Sequence, residues 1–211
     1  MPPARCRLVL VAGEDVTAAA LEAALGGGDV ASVVVPAARA GELVPLAQAL
    51  GAAALVSGPE ALDAALLDAL GANGADGVHL PGDVASVKRA RERWSERTVG
   101  AEAADRDRAL SVAEAGADYV LLGRLGRDVR PEPHPRGLAL ARWWSEVVTV
   151  PSVVPGGTDV ASVLLAAEAG ADFVALQSAV FGGNDAASTE PGEAVRRANA
   201  LLDERAPRLD P

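Results

Sequence analysis

Short apolar runs without strict polar alternation recur along the whole chain, separated by longer Ala-rich or amphipathic segments. The runs are Arg7–Ala12, Val30–Val35, Ala53–Val56, Gly77–Leu80, Thr98–Ala101, Tyr119–Gly123, Pro151–Pro155 and Phe173–Gln177. Runs of this kind, bounded by Gly or Pro, predict strands buried on both faces, as in a parallel sheet covered by helices. The segments between them predict the helices. Asp15 or Thr17 can cap one through Leu25, Glu42–Leu50 carries Pro45 in its first turn, and Pro59 opens another to about Leu70. Asp83 caps an amphipathic helix with Val87, Ala90 and Trp94 on one face and Lys88, Arg89, Arg91, Glu92 and Arg93 on the other. Asp105 starts a helix that Gly116 stops. The remaining helices cover Leu138–Val147, the segment after Asp159, and Glu193–Arg205.

One unit is spelled out twice. Ala113-Glu-Ala-Gly-Ala-Asp-Tyr-Val120 returns as Ala167-Glu-Ala-Gly-Ala-Asp-Phe-Val174, and weaker copies lie at Gly74–Leu80 and Gly51–Ser57. In each strong copy a glycine, Gly116 or Gly170, can take the left-handed conformation that closes a helix, and an acid then leads into a strand. Strand and helix in strict alternation imply parallel strands with helical crossovers. Eight such units in 211 residues predict a single (β/α)8 TIM barrel over residues 1–211. An open doubly wound sheet is the alternative. It would leave two edges to cover, and the first turn, at Gly13, lacks a dinucleotide fingerprint. The expected barrel filling is Leu8, Val34, Leu55, Val78, Val99, Leu121, Val153 and Ala175, or their immediate neighbours.

Half of the residues are hydrophobic and only 3% are aromatic, so the core is built from Ala, Val and Leu. A net charge of −10 argues against a nucleic-acid partner or an anionic membrane surface, which need a basic footprint. No apolar run approaches the roughly 20 residues of a membrane span, and the first residues lack a signal-cleavage pattern, so a cytoplasmic protein is expected. One cysteine, Cys6, makes neither an internal disulfide nor a metal cluster. Any anionic ligand must then be held by local devices.

In a barrel those devices sit in the loops after the strands. Gly156-Gly157 follow the seventh strand and Ser178-Ala179 open the turn after the eighth. Their bare N–H groups suit a phosphate. The longest irregular stretch, Arg124 to Gly137, holds Arg124, Arg127, Arg130, Arg136 and His134. It either grips an anion or lies solvated, since loops of this length are more often functional or mobile than structural. Glu102, at the mouth of the fifth strand, is the candidate general base or metal ligand. Asp83 is a candidate metal ligand whose alternative is a helix cap. His79 reads as a core histidine and His134 as a loop residue within reach of substrate. Trp143 and Trp144 fall on the outer side of the barrel, for core or subunit packing, which leaves a homo-oligomer open.

The stretches Ala75–Leu80, Ala115–Gly123, Pro151–Gly157 and Ala169–Phe181 resemble thiamine phosphate synthase and its relative thiazole tautomerase. The resemblance implies the (β/α)8 fold and a thiazole-phosphate pocket at Gly156, Gly157, Ser178 and Ala179. It also implies Mg²⁺-assisted departure of pyrophosphate from a pyrimidine substrate, followed by capture of the cation by the thiazole nitrogen. The chain departs from that pattern elsewhere. The family's Gln-x-Arg-x-Lys is Val33–Ala37 here, its Asn-Asp is Val56-Ser57, its Ser-x-His region is Glu102–Ala104, and its Thr-x-Thr-Lys is the Arg-rich loop. Its Gly-Gln-x-Asp is Pro81-Gly82-Asp83-Val84, with the acid one position early, so Asp83 and Glu102 are the acids this rim offers where the family places two. Mg²⁺ is therefore expected to bind weakly without ligand and turnover to be slow or absent. Three readings remain: a synthase gripping pyrophosphate with Arg124, Arg127 and Arg130; a tautomerase moving a proton with Glu102 or His134; or a barrel that only binds a small phosphorylated heterocycle.

Overall fold

The computed structural model describes residues 5–58, 68, 71, 72, 74–182 and 190–205. Eight strands run in parallel: β1 (Arg7–Val11), β2 (Ser32–Pro36), β3 (Ala53–Ser57), β4 (Gly77–Leu80), β5 (Thr98–Ala103), β6 (Tyr119–Leu122), β7 (Ser152–Pro155) and β8 (Phe173–Leu176). They close in sequence order, and β8 pairs with β1 through Val9↔Ala175. The open sheet is thereby excluded. The helices are α1 (Ala18–Leu25), α2 (Ala40–Ala49), α3 (Val84–Arg93), α4 (Arg106–Glu114), α5 (Pro135–Val147), α6 (Val163–Glu168), α7 (Ser178–Phe181) and α8 (Pro191–Arg205). The helix expected from Pro59 to Leu70 lies outside the described residues, apart from Asp68.

Local chemistry accounts for the boundaries. Thr17, not Asp15, caps α1 by accepting from Ala20 N, and Asp105 caps α4 by accepting from Arg108 N. Gly116 and Gly170 sit at φ +104° and +79°, where a side chain would be strained, and they stop α4 and α6. α2 starts at Ala40 rather than Glu42, so Pro45 lies past its first turn. Gly41 and Pro45 are both exposed, which leaves the carbonyl that proline cannot serve open to water. α5 starts at Pro135 rather than Leu138, because a proline in the first turn is already set for the helix.

The acid of the repeated unit has a specific task. Asp76 accepts from Ala54 N at 2.7 Å, Asp118 from Val99 N at 2.7 Å, and Asp172 from Ser152 N at 2.8 Å. Each carboxylate at the start of one strand thus satisfies an N–H near the start of the preceding strand and fastens the two together. The repeat is a device for closing the bottom of the barrel.

The barrel interior corrects part of the expected filling. Val34, Leu55, Leu121, Val153 and Ala175 face inward together with Val9, Val11 and Tyr119. Leu8, Val78 and Val99 face outward into the larger cluster beneath the helices. Their inward neighbours on β4 and β5 are Gly77, His79 and Gly100. A methyl group at Gly100 would lie 2.0 Å from the Tyr119 ring, so the glycine makes the space that the tyrosine fills. Trp144 is 1% exposed and donates Nε1–H to Val150 O at 2.7 Å, while Trp143 is half-buried under the Arg106 guanidinium. Cys6 is buried, which pushes its thiol up to about 12 and leaves it an inert core residue. No helix among the described residues is long and apolar enough to cross a membrane.

Candidate active site at the C-terminal rim

Five loops meet at the C-terminal end of the strands. The stretch after β6 folds inward over the rim, because Glu102 Oε1 accepts from Leu125 N at 2.9 Å and holds its first residues. Further along, Thr158 N donates to Arg130 O at 2.7 Å and Asp159 N to Pro131 O at 3.2 Å. The arginine loop therefore lies directly on the double-glycine turn after β7. A cavity of about 340 Å³ opens beneath it, lined by Arg124, Arg127, Arg130, His134, Arg136 and Gly156 among others. None of these four arginines forms an ion pair among the described residues, whereas Arg5, Arg7, Arg39, Arg91, Arg93, Arg196 and Arg205 all do. A chain with a net charge of −10 thus keeps four guanidinium groups free around one hollow. Arg39, the first basic residue after β2, is not available to it: its guanidinium is held by Glu42 and by the carbonyls of Glu14 and Val16.

His134 caps α5, its Nδ1 accepting from Arg136 N at 3.1 Å. That bond leaves Nε2 to carry the hydrogen of the neutral ring. Asp83 is exposed at the rim and accepts from Ser86 N at 2.8 Å and Ser86 Oγ at 2.7 Å, so it caps α3. The hydroxyl and amide of Ser86 hold its carboxyl below the usual range. Among the described residues no three His, Cys, Asp or Glu side chains gather as a metal would require. With Asp83 committed to its helix and Glu102 Oε1 to Leu125, these residues do not fit a preformed octahedral Mg²⁺ site, and no step below is routed through one.

The small-residue loops are less bare than expected. Gly156 N continues the β-ladder by donating to Ala175 O at 2.8 Å, and Gly157 N donates to the buried Ser162 Oγ at 3.0 Å. Ser178 N donates to Asp128 Oδ2 at 2.8 Å, so a carboxylate from the arginine loop sits at the start of α7. Ala179 follows in the same turn. The sequence reading passed over Asp128. Its signal was an acid placed among arginines, and its partner lies 50 residues further along the chain.

A phosphate that takes the Ser178 N–H must first displace Asp128. Asp128→Ala is accordingly expected to bind a thiazole phosphate about tenfold more tightly, the scale of one hydrogen bond to a charged group that no longer has to be broken. Titration calorimetry checks this, and weaker binding would mean that Asp128 contacts the ligand instead.

Residues 8–180 match the family described as thiamine monophosphate synthase. A thiamine-phosphate synthase of Hyphomonas neptunium is 35% identical over 216 aligned residues, 96% of each chain. One of Erythrobacter litoralis is 39% identical over 122 residues, 55% of this chain and 57% of that protein. Among solved structures, thiamine phosphate pyrophosphorylase from Pyrococcus furiosus superposes with a TM-score of 0.76 at 21% identity, covering 96% of this chain and 98% of that one. A 3-hexulose-6-phosphate synthase superposes at 0.66, also at 21% identity, over 90% and 98% of the two chains. At those identities the structural likenesses speak for the barrel alone. The sequence matches go further: the chain belongs to the thiamine monophosphate synthase family.

Proposed function

We propose that the protein joins a thiazole phosphate to a pyrimidine pyrophosphate, releasing pyrophosphate and forming thiamine phosphate. The observation that carries this reading is the set of four unpaired arginines around the cavity beside the Gly156-Gly157 turn. A departing pyrophosphate concentrates negative charge, and guanidinium groups already aimed at it lower the cost of breaking the C–O bond. Planar guanidinium also matches phosphate oxygens in pairs, which a lysine does not. The Arg-rich loop thus supplies at β6 the charge that relatives of this family carry after β2. The thiazole phosphate is assigned to the loops after β7 and β8, with Ser178 and Ala179 as its backbone donors once Asp128 has moved and the Gly156-Gly157 turn, whose N–H groups are already bonded, as the wall it approaches.

Chemistry follows from charge and position. The arginines take the leaving group, and the thiazole nitrogen, held by its phosphate on the adjoining loops, attacks the carbon left behind. His134 lines the arginine cavity and, with Nδ1 taken by Arg136 N, has Nε2 left to donate to a phosphate oxygen. Purified protein given both substrates and Mg²⁺ is expected to form thiamine phosphate slowly, read by chromatography. Firm binding of the thiazole phosphate with no product would favour the binding-only reading.

Gly157 tests the placement of the thiazole phosphate. A Cβ there would lie 1.9 Å from Pro131 O and 2.7 Å from Arg130 O, both backbone atoms. Gly157→Val must push the arginine loop off the turn and is expected to weaken thiazole phosphate binding by about 1–3 kcal/mol. Unchanged affinity in calorimetry would place the phosphate elsewhere.

A further inference from the structure

One line of polar groups crosses the barrel interior and ends at the rim. Tyr119 on β6, His79 on β4 and Glu102 on β5 come together there. His79 is 3% exposed, its Nδ1 lies 2.7 Å from the Tyr119 hydroxyl, and its Nε2 lies 3.6 Å from Glu102 Oε1. The Glu102 side chain is 14% exposed and borders a rim cavity of about 590 Å³ together with Gly82, Gly123 and Arg124.

Two groups on this line lack their full set of hydrogen bonds. His79 Nε2 is buried without a hydrogen-bond partner, a costly state for a polar atom. Glu102 has one close donor, the Leu125 N–H, for a carboxylate able to accept several. Burial holds the Tyr119 pKa far above its ordinary value, so its hydroxyl keeps its hydrogen and can donate it to Nδ1. The histidine hydrogen then belongs on Nε2, directed at the carboxylate, because a bare Nε2 lone pair would face negative charge. The result is a carboxylate backed by a buried imidazole and held by one amide, at the edge of a cavity that Arg124 also lines.

We propose that Glu102 is a catalytic residue that faces the cationic carbon of the reaction, and that His79 and Tyr119 are positioning residues that hold its carboxylate in place. This rests on the synthase reading above. As the C–O bond breaks, its electron pair leaves with the pyrophosphate toward the arginine side and the pyrimidine methylene becomes positive on the Glu102 side. The thiazole nitrogen then gives its lone pair to that carbon, and the thiazolium of the product keeps the positive charge. Glu102 exchanges no proton and forms no bond; its charge opposes the charge that develops.

The test compares ligands that share a phosphate but differ in ring charge, so it does not depend on turnover. In Glu102→Gln, calorimetry is expected to show tenfold or greater loss of affinity for thiamine phosphate, whose thiazolium is positive, and less than twofold change for thiazole phosphate, whose ring is uncharged. Glu102→Asp, which keeps the charge, should recover most of the loss. Equal losses for both ligands, or none, would overturn the assignment. The role of His79 is read separately, since the chain holds only two histidines. In a His134→Gln background the remaining imidazole is expected to show the Nε2–H tautomer by long-range ¹H–¹⁵N spectra, and Glu102→Gln should shift its resonances. An Nδ1–H tautomer, or a spectrum untouched by that change, would remove His79 from the assembly. Absence of product from wild-type protein that still distinguishes the two ligands through Glu102 would sink the synthase reading and with it the catalytic role, leaving Glu102 as a binding contact to the thiazolium.

Discussion

Replacing Arg127 and Arg130 together with alanine is expected to cut thiamine phosphate formation by about 10²–10⁴-fold. Each guanidinium that meets a phosphate contributes on the order of 1.5–3 kcal/mol as a charged hydrogen-bond donor, and 1.36 kcal/mol corresponds to tenfold in rate. Both side chains line the same cavity, and neither is held by a carboxylate among the described residues. Among the described residues no ion pair competes for them, although Asp128 and Glu132 line the same cavity. Arg124 and Arg136 remain at the cavity wall, so the expectation is a deep loss rather than none at all. The measurement is kcat/KM for the pyrimidine pyrophosphate, with thiazole phosphate affinity followed in parallel. That affinity should change little, because its site lies on the β7 and β8 loops. Turnover that survives the double change at the wild-type rate would show that the pyrophosphate lies elsewhere on the rim.

Trp144→Ala is expected to cost about 3–5 kcal/mol of folding stability, the scale of truncating a large buried aromatic. The residue is 1% exposed, meets Trp143 edge-to-face with centroids 6.1 Å apart, and donates to Val150 O. Truncation leaves a cavity and orphans that carbonyl. Its position gives the loss a functional side: it pins the end of α5 to the segment that enters β7, and β7 ends at the double-glycine turn. Trp143→Ala, which removes a half-buried ring and its contact with Arg106, should cost only about 0.5–1 kcal/mol. Urea unfolding of the two variants measures the contrast. A loss below about 1 kcal/mol for Trp144 would contradict the packing described for α5 and β7.

Much of the architecture was legible in the sequence because it depends on local rules. Strands buried on both faces need no partner to be recognised, helices announce themselves by Thr17, Asp105, Gly116 and Gly170, and eight alternating units leave closure as the solution without edges. The matching stretches around Gly156 and Ser178 marked the family for the same reason: each is a contiguous motif.

Other features depended on distances across the chain. In a strand apolar on both sides, Leu8 and Val9, or Val99 and Gly100, are equally acceptable inward residues by composition. Closure of the barrel decides between them, and a shift of one residue exchanges the faces. The same choice turned His79 inward and set it against Tyr119, 40 residues away, and Glu102. It explains why the only tyrosine in the chain lies opposite a glycine in the register. The Arg-rich stretch was visible as composition, but only the anchoring of Leu125 by Glu102, and of Arg130 and Pro131 by the β7 turn, brings its charges over one cavity. Asp128 at Ser178 belongs to the same class. Capping and burial are written residue by residue, whereas the pairing of a carboxylate with a distant amide exists only once eight strands have closed.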